Sequence, residues 1–360
     1  MKKKKVYLTL ENGKSFQGYR FGADGERVGQ LVFSTGMVGY VETLTDPAYY
    51  GQIVVQTFPL IGNYGVNESD AESEKAWLSA YVVRENCVAP SNFRSETDLE
   101  SFMIKKGVVG LYGVDTRELT KILREEGVMN AKISNKPLAG DEIAALSTYA
   151  VLGGVNAVAP QKKAVYGDEK AKYTVALWNF GCKNSVINTL VKQGLRVVEM
   201  PASATAEEIL ALQADGVVIT GGAGNPAEND EAIEQIKKVV GKTPVFGIDF
   251  GHLLLALALG GTTKRHKYGH RGGNQPVKCT TTERVYVSSQ NHGYTVSEKS
   301  ITAGELSFVS VNDGSCEGID YPADKAFSVQ FDPKCCWLGN EKNPLYEKFF
   351  ALMQKEKENA

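Results

Sequence analysis

One short stretch constrains the fold of this chain more than any other. Residues 244–248 form an apolar run that closes on Gly247-Ile248-Asp249-Phe250-Gly251, and residues 253–259 continue as an apolar helical stretch. A strand that enters a helix through a sharp turn flanked by two glycines is the pattern of a nucleophile elbow. We therefore predict a buried strand, a tight turn with Asp249 at its tip and a buried helix.

Predicted strands and helices alternate around this stretch. The buried-strand candidates are residues 173–178, 195–200, 216–220 and 243–247, and the helical stretches between them are 183–193, 206–213 and 229–240. Such alternation is typical of a doubly wound parallel sheet, whose functional site lies at the carboxyl ends of its strands. Later strands are predicted at 285–289, 308–311 and 326–330, and a closing helix at 344–353.

The first half of the chain has a different pattern. Short β-rich runs at residues 6–10, 31–33, 53–57 and 80–83 alternate with turn residues, and one segment, 116–126, has helical spacing. We predict an α+β domain at residues 1–150, a linker at 151–172 and an α/β domain at 173–360. A chain of 360 residues is long enough for two such domains.

Composition argues against several classes of function. The chain is 42% hydrophobic and 23% charged with a net charge of −2, so neither nucleic acid nor a membrane is expected as a partner. Its six cysteines show no CxxC spacing, which favours reduced thiols in a cytoplasmic protein. We predict no cofactor.

Motifs in both halves of the chain resemble one protein family. They are Thr45-Asp46-Pro47, Ser91-Asn92-Phe93-Arg94, Asp115-Thr116-Arg117-Glu118, Lys267-Tyr268-Gly269-His270-Arg271 and Gln290-Asn291-His292-Gly293-Tyr294. With the elbow, they resemble the small, glutamine-hydrolysing subunit of carbamoyl-phosphate synthase. The resemblance implies an N-terminal domain particular to that subunit, followed by a class I glutamine amidotransferase domain.

The resemblance also implies a catalytic triad, and all three of its positions differ here. Family members use a cysteine at the elbow, activated by a histidine that a glutamate orients. These positions are Asp249, Asp332 and Lys334 in this chain. The four histidines all lie within residues 252–292, so none can occupy position 332. Because triad members act as a unit, we predict that glutamine hydrolysis is lost.

Two of the positions that contact glutamine in the family have also lost their polar groups. Ala48 stands where the family has a serine, and Leu253 where it has a glutamine. The other implied contact positions are Gly222, Gly224, Phe250, Asn291, Gly293 and Tyr294. Each lost polar contact is typically worth ~0.5–1.5 kcal/mol, so glutamine binding should be impaired as well.

Several interpretations of the substituted triad remain open. In the first, Asp249 and Asp332 face each other and Lys334 neutralises one of them, which fills the former site. In the second, Asp249 is a carboxylate nucleophile on the retained elbow, with His252 or His292 as the base.

Two further interpretations concern a metal ion and a displaced nucleophile. A metal ion could bind Asp249, Asp332 and a histidine, but we find no histidine spacing that supports this, and we predict no metal site. Cys335 or Cys336 could act as a displaced nucleophile, while Trp337 could cover the pocket. The segment with His270 and Arg271 is interpreted as a glycine-rich loop that shapes a turn or a subunit contact.

Together these observations predict a subunit without catalysis. The family role implied by the resemblance is ammonia supply to a large ATP-dependent subunit, for carbamoyl phosphate in arginine and pyrimidine synthesis. We predict a non-catalytic binding or regulatory subunit in a heteromer with that large subunit or a related synthetase. The alternative is a hydrolase with new chemistry at Asp249.

Overall fold

The computed structural model of the protein describes residues 4–336 and 343–359. The chain divides into two compact units, Met1–Gly154 and Val155–Ala360. Within the described residues no helix is both long and apolar enough to cross a membrane. Trp337 lies outside the described residues, so its predicted position over the pocket stays a prediction.

The first unit is built on a closed barrel of seven strands in the order β1-β2-β8-β6-β4-β3-β9. The strands of this unit are β1 (Lys5–Leu10), β2 (Ser15–Gly22), β3 (Arg27–Ser34), β4 (Gln52–Gln56), β5 (Leu60–Ile61), β6 (Ala80–Val83), β7 (Glu85–Asn86), β8 (Val109–Tyr112) and β9 (Met129–Ser134). The helices are α1 (Tyr40–Thr45), α2 (Leu99–Lys106), α3 (Thr116–Glu126) and α4 (Asp141–Ala144). The predicted α+β character is confirmed.

Local sequence accounts well for α3. The Asp115 side chain accepts a hydrogen bond from the Glu118 backbone N–H at 3.0 Å, which caps the first turn. Gly127 follows the last turn with φ 97°, a conformation that a glycine adopts without strain. The helix therefore begins and ends where the sequence pattern predicts.

The second unit contains a ten-stranded sheet in the order β10-β12-β11-β13-β14-β19-β18-β17-β15-β16. Its strands are β10 (Ala164–Tyr166), β11 (Thr174–Phe180), β12 (Arg196–Pro201), β13 (Gly216–Gly222), β14 (Val245–Ile248), β15 (Thr263–Cys279), β16 (Val285–Val296), β17 (Glu305–Ser310), β18 (Cys316–Tyr321) and β19 (Ala326–Val329). The five strands from β12 to β19 in this order are parallel, and those beyond β19 are antiparallel.

Helices cover both faces of the parallel region. They are α5 (Gly154–Val158), α6 (Asn184–Lys192), α7 (Ala206–Ala211), α8 (Asp230–Val239), α9 (Phe250–Ala258) and α10 (Pro344–Asn359). Apolar residues of α7, α8 and α9 form one buried cluster with β11, while residues of α6 and α10 form another on the opposite face. Successive side chains of β11 point to opposite faces of the sheet, so Ala176 belongs to the first cluster and Leu177 to the second. The predicted doubly wound arrangement is confirmed.

Two segments differ from the predictions. Residues 151–172, expected to be a linker, contain α5 and β10, and β10 pairs antiparallel with β12. The expected glycine-rich loop around His270 is part of β15, a strand of 17 residues paired with β16. Glycine and proline suggested a loop there, and only long-range pairing with β16 reveals a strand.

Candidate active site

Residues predicted from the elbow and from the family motifs meet at the carboxyl edge of the parallel sheet. Asp249 follows β14, Gly222 ends β13, and Asp332 lies just beyond β19. Since β11, β13, β14 and β19 are successive neighbours in the sheet, their carboxyl ends lie side by side.

The turn that carries Asp249 is strained. Asp249 has φ 54° and ψ −111°, a conformation that residues with a side chain rarely adopt. Flanking glycines permit the turn, because a Cβ on Gly251 would lie 2.1 Å from the Ile219 carbonyl oxygen. A Cβ on Gly247 would lie 2.9 Å from the Gly251 carbonyl oxygen. The backbone of a nucleophile elbow is therefore retained, although its tip residue is an aspartate.

This strain predicts an unusual order of stabilities at position 249. Asp249→Gly should be more stable than Asp249→Ala by about 1–2 kcal/mol, because only glycine relaxes at φ 54°. Urea unfolding of the two variants measures the difference. The same pair of substitutions at Glu234, exposed in the middle of α8, should give the opposite order, since alanine is the better helix former. Equal stability of the two position-249 variants would show that the turn is unstrained.

A lysine that the motifs did not assign to the site reaches across this edge. Lys183 immediately precedes α6, and its Nζ donates a hydrogen bond to Asp332 Oδ2 within an ion pair. Lys183 follows β11, which is separated from β19 by β13 and β14. The Lys183 and Asp332 side chains are 26% and 10% exposed, so the pair is largely desolvated.

Opposing effects set the pKa of Asp332. Burial is the largest single effect and raises the pKa. The charge and hydrogen bond of Lys183, with the backbone N–H and charge of Lys334, lower the pKa, and together they outweigh burial. The resulting pKa lies below the ordinary value for an aspartate. A carboxylate held ionised by a lysine is a weak base, so Asp332 is poorly suited to the proton transfer that the family's histidine performs.

Gln330 contacts the elbow aspartate. Its Nε2 donates to Asp249 Oδ1 at 3.0 Å, and the Gln330 side chain is buried. Lys334 was predicted to neutralise one of the aspartates with its ammonium group. Instead its side chain is exposed, its backbone N–H donates to Asp332 Oδ1 at 3.0 Å, and Lys183 provides the ammonium group. The sequence therefore anticipated a lysine beside these carboxylates, and the ion pair with Asp332 is made by Lys183.

The residues predicted to contact glutamine are divided between the two units. Ala48 lies in the first, in the turn Pro47–Tyr49, where its N–H donates to Asp46 Oδ1 at 2.9 Å. The others lie in the second unit: Gly222, Gly224, Phe250, Leu253, Asn291, Gly293 and Tyr294.

Two of these positions belong to the hydrophobic core. Phe250 and Leu253 are 4% and 2% exposed and pack in the cluster formed with α7 and α8. A Cβ on Gly222 would lie 2.8 Å from the Phe250 ring, so glycine is required beside that ring. Leu253 therefore contributes apolar packing and no polar group for a ligand.

His252, considered as a base for Asp249, is a core residue. It is fully buried, its Nδ1 lies 2.8 Å from Ser328 Oγ, and its Nε2 lies 3.9 Å from Cys316 Sγ. Burial lowers the pKa of His252 to about 3, so the ring is neutral near pH 7. Its ring nitrogens therefore face groups other than Asp249.

The remaining three histidines form a second group of ionisable side chains, which we call the triple-histidine cluster: His266, His270 and His292. Ring centroids are 4.6 Å apart for His266 and His270, 4.9 Å for His270 and His292, and 5.5 Å for His266 and His292. Asp313 Oδ2 lies 3.0 Å from His270 Nε2, and Glu317 Oε1 lies 3.0 Å from His270 Nδ1.

The three histidines of this cluster differ in their pKa values. Burial opposes the charged form of His270, but its hydrogen bonds to Asp313 and Glu317 prevail and raise its pKa to about 9. Burial and the neighbouring His270 lower the pKa of His266 to about 4 and that of His292 well below its usual value. Near neutral pH the cluster thus holds one imidazolium and two neutral imidazoles.

The sequence contained a signal for this cluster. His266 and His270 stand four residues apart, and this HxxxH spacing is the local signal. In a regular strand, residues four apart are separated by about 13 Å, so this spacing alone does not place two strand histidines together. A register shift between Arg265 and His270, with Gly269 at φ 75°, brings the two rings into contact here.

The parallel sheet and the elbow between β14 and α9 define a class of protein. The class is that of the class I glutamine amidotransferases, and the family model for glutamine amidotransferase class-I matches residues 176–352. A second family model, for the CPSase domain of the carbamoyl-phosphate synthase small chain, matches residues 8–133.

Full-length relatives agree with both matches. The carbamoyl phosphate synthase small chain of Clostridium perfringens is 45% identical over 349 residues, covering 96% of this chain and 98% of the relative. Small chains of Bacillus caldolyticus (41% identical, 98% and 97% covered) and Fusobacterium nucleatum (43%, 95% and 96%) are similar. The chain belongs to the carbamoyl-phosphate synthase small-chain family.

Proposed function

We propose that this chain is a family member that has lost glutamine hydrolysis and acts as a non-catalytic binding or regulatory subunit. The observation that carries the proposal is the ion pair between Lys183 and Asp332. It occupies the position from which a histidine activates the nucleophile in the family. Structural ion pairs of this kind resist replacement, because loss of one partner leaves a buried charge.

The chemistry of the three substituted positions supports this proposal. Glutamine hydrolysis needs a nucleophile that forms and resolves an acyl intermediate, and a base that moves its proton. Asp249 lacks the thiolate, and Asp332 is held ionised by Lys183. Leu253, packed in the core, provides no polar contact for a glutamine side chain.

The proposed partner is a large ATP-dependent carbamoyl-phosphate synthase subunit or a related synthetase, in the cytoplasm. The N-terminal unit supports this, because residues 8–133 match the family's own domain while the substitutions in the triad lie elsewhere. Such a heteromer would support synthesis from free ammonia, for the arginine and pyrimidine pathways, or compete with an active small subunit.

A hydrolase with new chemistry at Asp249 is the second candidate, favoured by the strained backbone of the retained elbow. It requires a base near that carboxylate. His252 contacts Ser328, and His292 contacts the Tyr294 carbonyl oxygen and Gln290. The contacts of both rings are thus with groups other than Asp249, which makes this candidate the weaker one.

A binding and activity experiment distinguishes the two candidates. Mixed with a carbamoyl-phosphate synthase large subunit, the chain is expected to co-elute with it in gel filtration. The complex should make carbamoyl phosphate from ammonium but not from glutamine. Asp249→Ala should leave both results unchanged, because the proposed role does not use this carboxylate.

Two outcomes would overturn the proposal. Failure to form a complex under conditions where an active small subunit from a relative does so would remove the binding role. Glutamine-dependent synthesis that Asp249→Ala abolishes would instead establish catalysis by the elbow aspartate.

A further inference from the structure

Several hydrogen-bond acceptors of the triple-histidine cluster face one another in the protein interior. His292 Nδ1 lies 2.8 Å from the Tyr294 carbonyl oxygen, which only accepts, so in the neutral ring Nδ1 carries the proton. His292 Nε2 therefore presents its lone pair. This lone pair faces two more acceptors, Gln290 Oε1 at 3.0 Å and Glu317 Oε1 at 3.8 Å.

Rotation of the Gln290 amide does not resolve this conflict. Exchanging the oxygen and nitrogen of the Gln290 amide would place its NH₂ group as a donor beside His292 Nε2. The same NH₂ group would then face His270 Nδ1, because the Gln290 oxygen now lies 3.0 Å from that nitrogen. Since His270 donates to Asp313 and Glu317, two donors would meet. A cation among these acceptors would satisfy them together.

Two other buried polar atoms of the cluster make no hydrogen bond. Among the described residues, neither His266 Nε2 nor Glu317 Oε2 has a hydrogen-bond partner. Glu317 is fully buried, and its other oxygen contacts His270. An unpartnered carboxylate oxygen in such a place is costly unless a ligand or an ion satisfies it.

The arrangement of the rings suits a metal ion. One ligand atom from each of the three histidines lies within 4.8 Å of the others. Around a tetrahedral zinc with Zn–N of about 2.0 Å, imidazole ring centres lie about 5 Å apart. The observed centroid separations of 4.6, 4.9 and 5.5 Å fit that geometry.

We propose that the triple-histidine cluster is a binding site for a divalent transition-metal ion of the zinc type, with the three imidazoles and Glu317 as ligands. The metal ion displaces the proton from His270 Nδ1, which releases that proton to solvent, while His270 Nε2 keeps its hydrogen bond to Asp313. Imidazole nitrogens with one carboxylate suit zinc far better than calcium or magnesium, which prefer sets of oxygens. Asp313, bonded to His270 Nε2, is the orienting carboxylate that metal-binding histidines commonly have.

Binding at this site would join three strands. His266 and His270 lie in β15, His292 in β16 and Glu317 in β18. Zinc would therefore fix the irregular part of β15 against its neighbours and stabilise the second unit. This site is independent of the proposed loss of glutamine hydrolysis.

The test uses the full-length chain, stripped of metal with a chelator and alkylated at accessible cysteines to prevent thiolate binding. Zinc chloride is titrated by calorimetry, and cobalt chloride is added as a spectroscopic probe of four-coordinate nitrogen and oxygen ligation. We expect one zinc per chain, a rise in the thermal unfolding midpoint and intense visible cobalt bands.

Variants assign the binding to the cluster. His266→Ala, at a partly exposed side chain, should weaken zinc binding by at least ~100-fold, and Glu317→Gln should weaken it as well. Lys267→Ala, at the exposed residue between the two histidines of β15, should bind zinc like the wild type. Absence of stoichiometric zinc binding by the wild-type chain, or unchanged binding by His266→Ala, would overturn the proposal.

Discussion

The combined substitutions Asp249→Cys, Asp332→His and Lys334→Glu are expected to raise glutamine-dependent ammonia release by at least ~100-fold over the wild-type chain. The wild-type chain itself should release no more ammonia than a blank. The reason is that the retained elbow and its flanking glycines already present residue 249 in the strained geometry that a nucleophile needs.

Partial reversions provide the matched controls. Asp249→Cys alone should stay inactive, because triad members act as a unit and a nucleophile without its base gains little. Lys183 is expected to limit the activity of the triple variant. Its ammonium group, which now pairs with the Asp332 carboxylate, would lie beside the histidine introduced at position 332. Adding Lys183→Met should therefore increase activity further.

Restored polar contacts should act on substrate binding. Adding Ala48→Ser and Leu253→Gln to the active variant should lower KM by about 2- to 10-fold per contact, the equivalent of ~0.5–1.5 kcal/mol each. A wild-type ammonia release that Asp249→Ala removes would contradict the whole interpretation. A fully folded triple variant that remains inactive would show that more than these side chains has been lost.

Lys183→Met is expected to lower the free energy of unfolding by about 2–4 kcal/mol at pH 7. Removing the ammonium group leaves the Asp332 carboxylate, 10% exposed, without its ion-pair partner. Lys192→Met, at an exposed lysine near the end of α6, is the control and should change stability by less than about 0.5 kcal/mol. Urea unfolding near pH 7 measures both.

The pH dependence of this effect has a defined sign. The folded-state pKa of Asp332 is lowered, so its contribution to stability is fully present above the unfolded pKa of about 4. The contribution is lost as pH falls through the folded-state pKa. The difference between wild type and Lys183→Met should therefore shrink below pH ~4. A pH-independent difference would mean that Lys183 stabilises by packing and not by its charge.

A double-mutant cycle separates the pair from its surroundings. In the Asp332→Asn background no carboxylate remains, so Lys183→Met should cost much less than in the wild type. Additive effects of the two substitutions would show that the ion pair is not the coupled unit inferred from its geometry.

Elements whose structure depends on contacts between residues close in sequence could be predicted from the sequence. The segment of α3 carries an aspartate cap and a terminal glycine, and the helix forms between them. The elbow was predictable for the same reason, because Gly247 and Gly251 are required by backbone contacts within one strand–turn–helix unit. The closed barrel of the first unit was not predicted, because its closure depends on β1 pairing with β9, more than a hundred residues later.

By itself, the sequence determined the two-domain α/β architecture, the elbow and the presence of Asp249, Asp332 and Lys334 at three motif positions, because these follow from periodicity and from which side chain stands at each position. Only the tertiary structure decided which lysine neutralises Asp332 and that three histidines share one buried place. Lys183 and Asp332 are 149 positions apart, and the parallel order of four strands brings them together. Contacts of that kind depend on how strands pair, which no local pattern specifies.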